Sequence, residues 1–194
     1  MTLQDYYNAI LADVPTAATL TTSSIYDAIN KARRSVAAET DATLDLYSFT
    51  LTAGTWNYPF PASVTASVLT GQIVAVRKIW YYLGTVRNQI PKELIGSYSM
   101  SNFQSWPVKW WTQQNKVYYW PIPAQAYPTE WLCQILPANL VNPGDAEVIP
   151  YQYTDAIEAL ACRYTALKDG NAQLAGGFGQ LYMELLGKLP RRSM

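Results

Sequence analysis

An α+β fold is expected, with a helical lobe built from both ends of the chain and a mostly antiparallel β lobe inserted between them. Three observations predict it. Apolar residues recur at helical spacing near the N terminus and again after residue 151. Between residues 45 and 136 the period shortens, and β-branched and aromatic residues crowd together. Prolines and glycines punctuate that middle stretch at turn-like intervals. The expected lobes are residues 1–44 with 151–194, and residues 45–150.

The elements follow in order. Leu3, Tyr6, Tyr7, Ile10 and Leu11 share a helical face that Pro15 closes, and Thr16 to Thr22 reads as a polar connector. Ser24 is the expected N-cap of a second helix, with Asp27 three residues on and an apolar stripe of Ile25, Ile29, Ala32 and Val36. Lys31, Arg33 and Arg34 fall mainly outside the stripe and read as a solvated face. Leu46–Leu51 and Trp56–Tyr58 flank Gly54 and read as a hairpin. Ile73–Tyr82 carries apolar residues on both faces, as a strand covered on two sides does. Residues 84–107 show little periodicity beyond a possible turn of helix at 91–95. Val108–Trp111 and Lys116–Trp120, joined tightly through Gln114-Asn115, and Thr129–Leu136 complete the antiparallel set, with Val117, Tyr119 and Ile79 expected in the core. Tyr153, Ile157, Leu160, Ala161, Tyr164 and Leu167 mark a third helix, stopped at Asp169-Gly170. Leu174, Leu181, Leu185, Leu186 and Leu189 mark a last helical segment, interrupted by Gly176-Gly-Phe-Gly179.

Composition narrows the function. Charged residues are only 14% of the 194, against roughly 25% in an average soluble domain. In their place stand 15 tyrosines and 7 tryptophans. Few charges and many amphipathic aromatics suit a chain that buries much of itself against partners; an aromatic core alone is the plainer explanation. Net charge is zero and no basic stripe is present, so sequence-specific DNA binding is not expected. The chain has no histidine, which removes Ser-His-Asp and Cys-His catalysis and histidine-liganded zinc. Cys133 and Cys162 stand far apart in no metal or redox spacing. Met1–Asp5 has no signal-peptide character and no apolar run is long enough to cross a membrane, so a soluble protein made in a cytosol is expected.

The remaining motifs are weak. Gly176–Gly179 follows no strand and lacks the Lys-Ser/Thr ending of a phosphate loop, so a hinge or a close helix contact is the better reading. Asp41 with Asp45, Asp145 with Glu147, and Asp155 with Glu158 are the acid pairs open to glycosidase chemistry; their places near helix ends and turns suit capping better. Trp106, Trp110, Trp111, Tyr118, Tyr119 and Trp120 could stack sugars on an exposed sheet face. Adjacent aromatics face opposite sides of a strand, so packing is the favoured reading, a subunit interface the second and carbohydrate the third. No catalytic residue, metal or cofactor is expected.

Phe49-Thr-Leu-Thr-Ala-Gly-Thr55, Tyr58-Pro-Phe-Pro61 and the Val-rich strand from Ile73 resemble the head-to-tail adaptors of tailed phages, including the tail tubular protein A type of short-tailed phages. Trp110-Trp-Thr, Asn115–Pro123, Trp131–Leu136, Val148–Tyr151 and Asp155–Tyr164 continue the likeness, which covers about residues 20 to 170. The resemblance implies a virion structural protein at the head–tail junction and no enzyme. It implies a ring, usually of twelve subunits, between the portal protein and a downstream tail (nozzle) protein, with DNA passing through without specific binding. An aromatic-rich carbohydrate- or receptor-binding tail module is the alternative. The apolar tail after the glycines marks the expected portal- or neighbour-binding residues: Leu181, Leu185, Leu186 and Leu189, with Arg191 and Arg192 at the rim.

Overall fold

The computed structural model describes residues 1–93 and 103–189. Its contacts divide the chain into two units, residues 1–43 with 136–194, and residues 44–135. The stretch 136–150, grouped with the strands by sequence, belongs to the helical unit because Leu140 and Ile149 enter the helical core.

In the helical unit, α1 spans Leu3–Asp13 and α2 spans Thr22–Glu39, with a 3-10 turn at Pro15–Thr19 between them. Thr2 opens α1 with a capping box: its hydroxyl accepts from the Asp5 amide while the Asp5 carboxylate accepts from the Thr2 amide. The cap of α2 is Thr21, three residues before the expected Ser24, and it accepts from the Ser24 amide at 3.3 Å. Ile25, Ile29, Ala32 and Val36 are buried as their spacing predicts. Arg33 is not solvated as expected; it is fully buried.

α3 (Thr154–Lys168) and α4 (Ala172–Lys188) form a helical hairpin. Gly170 takes φ +79 at the turn, a conformation that favours glycine, and Asn171 caps α4 by accepting from the Leu174 amide. Leu167, expected in the stripe of α3, is half exposed. The glycines do not interrupt α4. Each costs about 1 kcal/mol relative to alanine in a helix interior, and docking of Ala175, Tyr182 and Leu186 into the helical core offsets that cost. Gly179 has a packing role: a Cβ there would lie 3.3 Å from Arg163 Nε. Of the two readings of this motif, the close helix contact holds and the hinge does not.

The second unit is built from β1 (Leu44–Leu51), β2 (Asn57–Pro59), β3 (Val64–Thr65), β4 (Thr70–Leu83), β5 (Val86–Ile90), β6 (Gln104–Ser105), β7 (Lys109–Gln113), β8 (Lys116–Trp120), β9 (Ile122–Pro123) and β10 (Tyr127–Pro137). One sheet has the order β1-β10-β4-β3, with β5 also on β4; a second has the order β2-β8-β7; β6 and β9 pair in parallel. The β7–β8 turn fits its sequence, since Gln114 and Asn115 both take positive φ, as a two-residue I′ turn requires.

Four expectations fail in this unit. β1 and β2 are not a hairpin: β1 pairs β10 from Leu44↔Gln134 to Leu51↔Tyr127, and β2 pairs β8. Gly54 does turn the chain at φ +75, but the segment beyond it is drawn to β8, and the Tyr119 amide donates to the Trp56 carbonyl. Residues 84–107 hold more structure than their periodicity shows, because β5 folds back on β4 around Gly84 and β6 joins β9. The helical turn expected at 91–95 is absent at Lys92, which bridges to Trp110 in strand fashion; Leu94 and Ile95 lie outside the described residues. β4 is also covered unevenly, since Ile73, Val76, Ile79 and Tyr81 are buried while Val74 is exposed and Trp80 lies under Arg87. The core itself is as expected at Ile79, Val117 and Tyr119, which share one buried apolar cluster with Trp131, Trp110, Ile135 and Leu51.

Candidate interaction surface on the helical unit

The last helix carries two apolar rows. Ala175, Tyr182 and Leu186 face inward, and the Tyr182 hydroxyl donates to Glu39 Oε2 at 3.1 Å, tying α4 to the end of α2. Burial and then the Glu39 charge push that phenol well above the ordinary tyrosine range. Beside this row run Leu174, Phe178, Leu181, Leu185 and Leu189, at alternating spacings of four and three residues until the last step. Leu174, Phe178, Leu185 and Leu189 are half buried against the helical core, whereas Leu181 is 43% exposed. Gly177 adds no side chain, so Asn171, Gln173, Leu174, Phe178 and Leu181 enclose a shallow groove of about 510 Å³. A row at this spacing is the seam that helices use to pack on one another.

Over residues 1–194 the sequence matches the SU10 adaptor protein family. The chain belongs to that family. Membership makes it a phage adaptor with a structural role in the virion. No curated protein matches it.

In this adaptor the expected contact residues separate. Leu186 belongs to the core of the helical unit, Leu185 and Leu189 sit at its margin, and only Leu181 is exposed. Arg191 and Arg192 lie outside the described residues. Sequence reasoning missed Phe178 because it took the glycines as a break; the spacing 174/178/181/185 was the signal that would have joined them.

The acid pairs are structural at two of three places. Asp45 accepts from the Leu46, Val68 and Leu69 amides, pinning the 66–69 turn to β1. Asp145 accepts from the Val141 and Asn142 amides, which holds its carboxyl below the ordinary aspartate range. Glu147 takes both Arg33 Nε and Nη2, and the Tyr6 hydroxyl as well. Burial pushes the Glu147 carboxyl up, but the Arg33 bonds and charge, with the Val148 and Ile149 amides, outweigh it and hold it low. Asp155 and Glu158 are the exception, and neither joins an ion pair among the described residues. Burial raises the Cys133 and Cys162 thiols to about 12, which leaves them inert as nucleophiles at neutral pH.

Among the aromatics, Trp110 and Tyr119 face the core while Trp111, Tyr118 and Trp56 lie on the other side of the β2-β8-β7 sheet. Trp111 stacks on Tyr118 with centroids 5.4 Å apart, and Trp56 lies 4.9 Å from the same ring. The stack covers one face each of Trp111 and Tyr118, and Trp111 is otherwise buried.

Proposed function

We propose that the adaptor joins the portal protein to the downstream tail (nozzle) protein as a ring of identical subunits, twelve in number, and that the ring forms part of the DNA exit channel. The proposal includes no catalytic step. Family membership supports the adaptor role, and the observation that carries the contact is the outward apolar row of α4. Residues 171–194 grip the portal or the adjacent subunit through it. Leu181 is the central anchor, with Leu174 and Phe178 on one side, Leu185 and Leu189 on the other, and Arg191 and Arg192 as rim contacts; Leu186 supports the row from beneath. A neutral chain suits a channel through which DNA must slide, because duplex binding strengthens with each phosphate neutralised. A phage lacking this gene is expected to fill its heads with DNA and leave them without tails. Tailed, infectious particles from such a phage would overturn the proposal.

The alternative sugar- or receptor-binding role rests on exposed Phe103 and Trp106. It gains less from the geometry, because the Trp56–Tyr118–Trp111 cluster offers a sugar few open ring faces. Binding on a glycan array would favour it.

A further inference from the structure

The helical unit leaves two sets of charges unneutralised. On α2, Lys31, Arg34, Asp27, Asn30 and Ser35 line a shallow groove of about 420 Å³ against Asn139. Lys31 Nζ sits 4.3 Å from the centroid of the Tyr164 ring, and Arg34 is exposed. Neither reaches a carboxylate within ion-pair distance among the described residues. Arg33 beside them is engaged by Glu147, so one helix sends one base inward to a carboxylate and two outward, with Asp27 as the acid on the same groove wall.

The acids lie elsewhere on the same unit. Asp155 and Glu158 stand three residues apart on α3, against which α1 with its last residue Asp13 packs. Burial first, and then the Asp13 and Asp155 charges, push the half-buried Glu158 carboxyl up. The α3 N terminus favours Asp155, but Glu158 lies beyond its first turn. Asp13 closes α1 at the negative end of its macrodipole, where a carboxylate is unfavourable. Asp155 precedes Tyr164 by nine residues, about 180° around α3 at 3.6 residues per turn. Asp155 and the groove therefore sit on opposite sides of that helix, and Glu158 lies about 120° from Tyr164. No ion pair joins these acids to Lys31 or Arg34 within one chain among the described residues.

We propose that they meet between copies: the Lys31/Arg34 groove of one subunit receives the Asp13/Asp155/Glu158 face of the next. This inference rests on the ring reading above. A two-fold dimer through either patch would set like charges together, whereas a heterologous contact joins two different patches and repeats until the ring closes. Complementary charge also steers orientation and excludes the wrong register.

The test uses the full-length adaptor on portal-bearing heads. Carbodiimide treatment of rings assembled from isotope-labelled and unlabelled copies is expected to link Lys31 of one copy to Asp155, Glu158 or Asp13 of another. K31E/R34E and D13K/D155K, each checked for an unchanged melt, are each expected to lower ring yield by roughly tenfold, since attraction becomes repulsion at every contact. The four changes together restore complementarity and ring yield. Wild-type rings that form without these cross-links, and that either reversal leaves intact, would overturn the inference and leave the ring reading standing. Failure of the wild type to form any ring would overturn both. Loss of duplex DNA binding by K31E/R34E with ring yield unchanged would assign the groove to phosphate and overturn the inference alone.

Discussion

Arg33 and Glu147, 114 residues apart in sequence, meet as a fork inside the helical unit: Nε donates to Oε2 at 2.7 Å and Nη2 to Oε1 at 2.9 Å. Both side chains are essentially inaccessible to water. Arg33 Nη1 also donates to Asn30 Oδ1 and the Ala138 carbonyl, and Asn30 holds both the amide and the carbonyl of Leu140. The pair thereby fastens the 138–149 stretch onto α2, and the Tyr6 hydroxyl brings α1 into the same network.

Breaking one side of this pair strands a buried charge. Glu147→Gln is expected to cost about 3–5 kcal/mol at neutral pH, measured by urea unfolding. The pH sign follows from the lowered Glu147 carboxyl. Its contribution is fully present above the unfolded value of about 4.3 and is lost as pH falls through the lower folded value. The gap in stability between wild type and Glu147→Gln should therefore narrow in acid. A constant gap from pH 7 to pH 3 would contradict this account.

Tyr119 anchors the other unit. Its side chain is buried, and its hydroxyl accepts from Trp131 Nε1 at 2.6 Å. Tyr119→Ala is expected to cost about 3–5 kcal/mol, as deletions of core aromatics do. Tyr119→Phe leaves the indole donor unpaired and should cost about 1–3 kcal/mol. A melting temperature unchanged by both substitutions would show that this core has been misread.

The two rows of α4 should separate in experiment. Leu186→Ala is expected to destabilise the protein by about 2–5 kcal/mol, at the lower end because Leu186 keeps 8% of its surface exposed. Leu181→Glu should leave the melt unchanged and weaken attachment to portal-bearing heads, measured by co-sedimentation. Deleting all of 171–194 cannot make this distinction, because it also removes Tyr182 and Leu186 from the helical core. If Leu181→Glu heads bind as wild type does, α4 is not the gripping surface.

The helices were legible in the sequence because their apolar spacing is a local property; Ile25, Ile29, Ala32 and Val36 could be read without knowing what they touch. The I′ turn at Gln114-Asn115 was legible for the same reason. Strand partnership was not. Nothing near Leu46 or Tyr58 states that one joins β10 and the other β8, since that choice is settled by a register formed across long sequence separations. Arg33 was misread because an arginine at the border of an apolar stripe is ordinarily solvated, and its partner Glu147 comes from a distant loop. The α4 row was half legible. Its leucines stood out, but glycine's poor helix propensity hid the continuity that places Phe178 among them.

The central claim is that this adaptor forms a ring at the head–tail junction, and electron microscopy of portal-bearing heads with and without the purified protein tests it most directly. The account predicts added density beneath the portal with one copy of α4 per subunit packed against a neighbour or the portal, and a twelve-fold average. Density elsewhere on the particle, or single unringed copies at the junction, would contradict it.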